Sequence, residues 1–186
     1  TRFKCDWSSD VCSSDLTVEW DAEAAEKSGY EHFMIKEIHE QPKAVSDTLN
    51  SVIKDGMIDL SEVGLSEEEI KEISQIYIVA CGSAYHVGVA AQYVMEDLAR
   101  IPVRVELASE FRYRNPILDP KGLVVIISQS GETADSLAAL RESKKQGVKT
   151  LGIVNVIGSS IAREADNVYY TLAGPEIAVA TTKAYS

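Results

Sequence analysis

The chain has few of the features that mark a secreted or membrane protein. Its 186 residues include three cysteines, two of them within the first twelve positions, which gives neither a disulfide framework nor a zinc-ligand spacing. No apolar run reaches the roughly 20 residues of a membrane helix. No charged n-region precedes an apolar stretch, so we expect no signal peptide. These absences predict a cytoplasmic protein with reduced thiols.

Positive charge is also scarce. The chain has 18 Lys and Arg against 29 Asp and Glu, a formal net charge of -11. Proteins that bind nucleic acids need clustered Lys and Arg to neutralise phosphates, so we predict no nucleic-acid partner. We also predict no metal site and no cofactor. The length suits one domain with a full core.

The first sixteen residues, TRFKCDWSSDVCSSDL, differ from the rest because they show neither helical nor strand periodicity. Residues 5–16 can be back-translated into a common sequencing-adapter oligonucleotide. We therefore interpret residues 1–16 as a foreign leader, with a natural disordered terminus as the alternative. We assign residues 17–45 to a linker and entering helix, and residues 46–186 to one domain. We expect both ends to be truncation points, since the last residues form no polar tail.

From residue 76 onward, short apolar runs alternate with helical patterns, which is typical of a parallel sheet covered by helices. The predicted strands are residues 76–80, 103–107, 123–127, 150–154 and 167–172, and the predicted helices are residues 85–99, 133–146 and 159–164. We predict an α/β fold with three layers and a five-stranded parallel sheet in the flavodoxin-like order 2-1-3-4-5.

Two helical patterns precede this alternation. Ser66 and the three glutamates after it predict an N-cap and the acidic first turn of a short helix. Residues 30–49 also have helical spacing, but Pro42 interrupts them. We therefore predict two helical pieces, or a helix that starts again at Pro42.

Hydroxyl groups follow the first and third predicted strands. Gly82 and Ser83 follow the first strand, and the sequence SQSGET (residues 128–133) follows the third and opens a helix. In the predicted strand order these two strand ends lie side by side at the switch point, where such sheets bind ligands. A helix N-terminus offers free amides and a positive dipole end, so amides and hydroxyls would hold one phosphate without Lys or Arg. An ordinary capped turn is the alternative.

Three motifs resemble the sugar isomerase (SIS) domain. They are Cys81-Gly82-Ser83, the SQSGET loop and VATTKA at residues 179–184. Residues 30–42 (YEHFMIKEIHEQP), 106–114 (ELASEFRYR) and 155–160 (NVIGSS) resemble, more narrowly, the first of two such subdomains in the glutamine:fructose-6-phosphate aminotransferase family. The resemblance covers residues 17–186.

The resemblance implies which residues form the site. A phosphate of fructose 6-phosphate or glucosamine 6-phosphate would be held by Ser83, Ser128, Gln129, Ser130 and Thr133, with Gly82 and Gly131 as loop glycines. Val179 and Thr181 would touch the sugar. Ala84 stands where many members have a second hydroxyl. The family's acid–base carboxylate, ring-opening histidine and glutaminase cysteine belong to other parts of the enzyme, so we predict no catalytic residue in this chain.

Two charged residues of these motifs have open roles. Glu132 has the chemistry of a general base. Beside a phosphate dianion, however, we expect its carboxylate to turn away or to accept from backbone or sugar donors. Lys183, in the third motif, could approach the sugar, but the sequence ends three residues later.

The resemblance implies a fragment of a cytoplasmic, homodimeric enzyme that makes glucosamine 6-phosphate from fructose 6-phosphate and glutamine. We expect the fragment to bind hexose 6-phosphates and to turn over none. The first alternative is a non-catalytic SIS-type sensor, which needs a basic DNA-binding domain upstream, where this sequence is acidic. The second is a phosphoacceptor module, which needs an aspartate where Ser128 stands.

Overall fold

The computed structural model describes residues 26–186. The predicted leader and the start of the predicted linker lie outside them. The helices of the described part are α1 (Phe33–Asn50), α2 (Glu67–Glu72), α3 (Gly82–Ala99), α4 (Ala108–Tyr113), α5 (Ala134–Lys145) and α6 (Ser160–Glu164). The strands are β1 (Ile53–Lys54), β2 (Met57–Ile58), β3 (Gln75–Ala80), β4 (Val103–Leu107), β5 (Gly122–Ser128), β6 (Lys149–Val154) and β7 (Asn167–Tyr170).

The five longer strands form one parallel sheet in the order β4-β3-β5-β6-β7. Numbered along the chain, this is the predicted order 2-1-3-4-5, so the fold prediction is confirmed. Every residue of the central strand β5 is buried, which explains its continuous apolar run. The antiparallel hairpin of β1 and β2 was not predicted from the sequence.

Alternate residues of the central strands point to opposite faces of the sheet. Tyr77 and Val124 pack with α4 and α5 on one face, while Ile78 and Val125 pack with Ala84 of α3 on the other. Helices α3 and α5 therefore leave the sheet on opposite sides, which makes the boundary between β3 and β5 the topological switch point of the sheet.

The prediction that Pro42 divides the first helix is wrong, because α1 runs through it as one helix. Proline has no amide hydrogen to donate to the carbonyl of Ile38. Contacts from the far end of the chain hold the helix instead. The Tyr169 hydroxyl donates to the Thr48 carbonyl at 3.1 Å, and the amide of Leu172 donates to the Thr48 hydroxyl at 2.9 Å.

Helix starts were predicted with mixed success. Ser66 caps α2 as predicted, and its partner in the capping box is Glu69. In contrast, α3 begins at Gly82, three residues before the predicted start at Tyr85. Gly82 has a φ of +56°, so it makes the turn from β3 directly into the helix. No helix within residues 26–186 combines the length and apolar character that a membrane crossing needs.

Candidate functional site

The SQSGET loop closes on itself at the end of β5. Ser128 is only 4% exposed, and its hydroxyl accepts from the Gly131 amide at 3.1 Å and lies 3.0 Å from the Thr133 hydroxyl. The Ser130 hydroxyl accepts from the Glu132 amide at 3.2 Å. The loop therefore turns tightly, and hydroxyl and amide groups gather in one short turn.

Helix α5 begins directly behind this loop. Thr133 is the N-cap residue, but its side chain caps no amide of α5. The first amides of the helix thus keep their donors for an anion. Asp135 in the first turn would repel that anion, but Arg112 lies 2.6 Å from its carboxylate. The hydrogen bond to Asp135 raises the pKa of Arg112, and the ion pair of these two side chains carries no net charge.

The connection that follows β6 fixes the backbone of the loop. The amide of Asn155 donates to the carbonyl of Gln129 at 3.1 Å, and the amide of Ile161 donates to the carbonyl of Gly131 at 3.0 Å. Residues 155–161, which include the NVIGSS segment, therefore support the backbone of the SQSGET loop. This supporting role was not predicted from the sequence.

Two loop residues contact the start of α6. Gly131 has a φ of +66°, and a Cβ there would lie 2.0 Å from the Ser159 hydroxyl oxygen, so only glycine fits. The Glu132 carboxylate accepts from the amide of Ser160 at 2.7 Å. This backbone contact is one of the two arrangements expected for Glu132, and it occupies the carboxylate in capping α6.

The predicted residues of the first strand lie beside this loop. Ala80 pairs with Ile127, so the residues after β3 emerge next to the end of β5. The Ser136 hydroxyl of α5 donates to the sulfur of Cys81 at 3.9 Å. Ser83 is exposed in the first turn of α3. The structure thus brings the two strand ends together, while the roles of Gly82 and Ser83 in ligand binding stay predictions.

Val179 and Thr181 lie in a separate, irregular segment at the end of the chain. Val179 is fully exposed and Thr181 is half-buried. The backbone on either side of them is hydrogen-bonded to side chains, one of which belongs to α1. Their contacts with a sugar stay predictions.

Lys183 points away from solvent into an ion pair with α1. It is 4% exposed, and its Nζ donates to a carboxylate oxygen of Glu40 at 2.7 Å. Lys36 lies 3.3 Å from the other oxygen. Burial raises the pKa of Glu40, but the two lysines outweigh burial and hold it below its ordinary value. Sequence reasoning missed this pair because Glu40 lies 143 residues before Lys183.

A cavity of about 460 Å³ lies between α1, α3 and one face of the sheet. Its lining is mostly apolar and includes Leu49, Met95, Val125, Leu151 and Tyr185. Lys183 also lines the cavity, but it is already paired with Glu40, so an anion there would lose its hydration with little compensation from the mostly apolar walls. The strand ends, rather than this cavity, are therefore the candidate phosphate site.

The chain is similar to known sugar-phosphate proteins. A family model described as SIS domain matches residues 69–186. The isomerising glutamine–fructose-6-phosphate aminotransferase of Caldanaerobacter subterraneus subsp. tengcongensis is 61% identical over 177 residues, which cover 95% of this chain and 29% of that protein. The aminotransferase of the same name from Clostridium tetani is 61% identical over 169 residues, 90% of this chain and 28% of that protein. The chain thus spans less than a third of these curated relatives.

Solved structures agree with this similarity. The C-terminal domain of glucosamine-fructose-6-phosphate aminotransferase from Francisella tularensis has a TM-score of 0.80 and 48% identity, over 86% of this chain and 45% of that one. Tagatose-6-phosphate ketose/aldose isomerase from Escherichia coli has a TM-score of 0.70 and 16% identity, over 83% of this chain and 44% of that one, so it shares the fold.

Proposed function

The chain belongs to the SIS domain family, and from this membership we propose that it is the sugar-phosphate-binding part of a cytoplasmic, glutamine-dependent aminotransferase. The whole enzyme would make glucosamine 6-phosphate from fructose 6-phosphate and glutamine, and would be a homodimer. Support comes from the 61% identity to aminotransferases over nearly the full length of this chain. The ligands of this part would be fructose 6-phosphate and glucosamine 6-phosphate.

The geometry of the SQSGET loop carries this proposal. Ser128, Ser130 and Thr133 gather their hydroxyls within one turn, and the free amides of α5 follow directly. A phosphate dianion at this point would accept charge-assisted hydrogen bonds and sit at the positive end of a helix dipole. The site needs no cation, because the donors are fixed in place before the ligand arrives.

We further propose that the chain binds hexose 6-phosphates without converting them. Isomerisation needs a group that moves protons at the sugar carbons. Glu132 is the carboxylate nearest in sequence to the phosphate-binding hydroxyls, and it is engaged with the amide of Ser160. The chain spans only 29% of its relative, and we propose that the proton-moving groups lie in the rest of the enzyme.

Calorimetry on the purified chain tests the site. We expect Ser130→Ala to weaken hexose 6-phosphate binding by about 1–2 kcal/mol, because one hydrogen bond to a charged group is lost. Ser46→Ala removes an exposed hydroxyl of α1 and serves as the matched control, with wild-type affinity expected. Equal affinity of Ser130→Ala and wild type would exclude the SQSGET loop as the phosphate site. An isomerisation rate above background would contradict binding without turnover.

A further inference from the structure

Glu37 is a buried carboxylate of α1 that is bonded to the end of the chain. It is 2% exposed. Its Oε1 accepts from the amide of Ile177 at 2.7 Å and from the amide of Ala178 at 3.0 Å. Its Oε2 accepts from the Thr182 hydroxyl at 3.3 Å. One side chain therefore joins two points of the chain that lie on either side of Val179 and Thr181.

A second carboxylate completes the closure of this segment. The Oε1 of Glu176 accepts from the amide of Thr182 at 2.8 Å and from the amide of Lys183 at 2.9 Å. Residues 177–182 thus form a loop whose two ends are held close together by these hydrogen bonds. Val179 stands out from it with its side chain fully exposed.

Helix α1 fixes where this loop lies. Gln41 donates to the carbonyl of Thr182, and Lys183 is paired with Glu40. Gln41 and Glu40 lie on the same helix as Glu37. A buried carboxylate is strongly unfavourable unless hydrogen bonds compensate its lost hydration, so Glu37 and its donors keep to a narrow range of positions. The loop is therefore positioned by α1 rather than by a strand or helix of its own.

We propose that Glu37 is a positioning residue for sugar binding. Its carboxylate holds loop 177–182 in the conformation that presents Val179 and Thr181 to the sugar of a bound hexose 6-phosphate. This inference rests on the proposed function, since it assumes a phosphate at the SQSGET loop. Glu37 itself touches no ligand, and the phosphate would not sense its removal.

The test compares two ligands on the purified chain by amide NMR titration, with glucosamine 6-phosphate and inorganic phosphate as probes. We expect Glu37→Ala to weaken glucosamine 6-phosphate binding about tenfold, because three donors lose their acceptor and the loop loosens. The affinity for inorganic phosphate should stay within about twofold of the wild-type value. Glu37→Gln keeps one carbonyl acceptor and should recover part of the loss. Glu31→Gln, an exposed glutamate before α1, is the matched control.

Each outcome decides a different statement. Equal glucosamine 6-phosphate affinity in Glu37→Ala and wild type would overturn the positioning role and leave the proposed function intact. A wild-type chain that binds neither probe would overturn the proposed function itself. If Glu37→Ala shows no thermal unfolding transition, and so does not fold, the same two titrations are made with Thr182→Val. This variant removes only the hydroxyl that donates to Glu37. A loss of glucosamine 6-phosphate affinity alone supports positioning, and an unchanged affinity for both probes overturns it.

Discussion

The two segments predicted to contact the ligand are held in opposite ways. The SQSGET loop follows a fully buried strand, and its supports are hydroxyls, amides and carbonyls of the same strand–helix unit and the next one, with Glu132 as its one carboxylate contact to α6. Loop 177–182 follows no strand directly, and its supports include carboxylates, one of them 140 residues earlier in the chain. The first segment is held mainly by neutral groups that are near in sequence, whereas the second depends on a carboxylate from a distant helix.

This difference matters for how each half of a ligand would be recognised. A phosphate is the same in every hexose 6-phosphate, so a rigid and prebuilt cradle suits it. A sugar varies, and its contacts would come from a loop whose geometry depends on another part of the molecule. Since α1 anchors this loop, the sugar contacts would respond to changes at α1 that leave the phosphate contacts unaffected.

The largest effect is expected from Gly131→Ala, which tests whether the SQSGET loop is as rigid as its contacts indicate. The added Cβ would lie 2.0 Å from the Ser159 hydroxyl and 2.5 Å from its Cβ, at a positive φ. We expect a loss of about 3 kcal/mol in the free energy of unfolding, from steric overlap and backbone strain together. Urea denaturation measures it.

Gly147→Ala is the matched control for this variant. Gly147 also has a positive φ, of +75°, but a Cβ there meets nothing within 4 Å. Only the strain of a left-handed alanine remains, which costs about 1 kcal/mol. Equal losses in the two variants would show that the contact between the loop and Ser159 does not constrain the loop.

A smaller effect is expected from Glu40→Gln, which tests the charged support of loop 177–182. The change leaves Lys183 and Lys36 without their shared carboxylate. Breaking a buried ion pair costs about 3–5 kcal/mol. Since the Glu40 side chain is 31% exposed, we expect about 2 kcal/mol at pH 7. Urea denaturation at several pH values measures the loss.

The pH dependence of this loss has a defined sign. The pKa of Glu40 in the folded chain lies below its ordinary value of 4.5. The ion pair therefore stabilises the fold above pH 4.5, and this contribution disappears as the pH falls through the lowered pKa. We expect the difference between wild type and Glu40→Gln to shrink below pH 4.5. A difference that stays constant from pH 7 to pH 3 would mean that the charge of Glu40 does not support the loop.

The same contrast explains what the sequence could predict. Strands such as β5 were recognisable because a buried parallel strand is apolar on both faces, and the strand order then placed Ser83 and the SQSGET loop at one crevice. These features are local, or they follow from a general rule of topology. The capping of α2 was likewise predictable from four consecutive residues, because the capping box spans only Ser66 to Glu69.

The features that were missed or mispredicted depend on distant contacts. Pro42 favoured a break in α1, but bonds to Tyr169 and Leu172 hold that helix. The burial of Lys183 depends on Glu40, and nothing in the local sequence of either residue indicates the other. No spacing rule connects Glu37 to Ile177, so the hydrogen bond between them can be recognised only in the folded chain. The roles of the predicted ligand-binding residues stay predictions.

The smallest effect concerns how the SQSGET loop is joined to α6, where two side chains compete for the role of cap. Ser159 is the N-cap residue of α6, yet its hydroxyl is buried without a hydrogen-bond partner, while Glu132 accepts from the Ser160 amide.

We expect Glu132→Ala to cost about 1 kcal/mol of unfolding free energy, as for a lost cap. Ser159→Ala should cost nothing or stabilise slightly, since it removes an unpaired buried hydroxyl. Urea denaturation of both variants compares them directly. The reverse order of losses would show that Ser159 caps α6 in solution, and that Glu132 is free to act on a ligand at the loop.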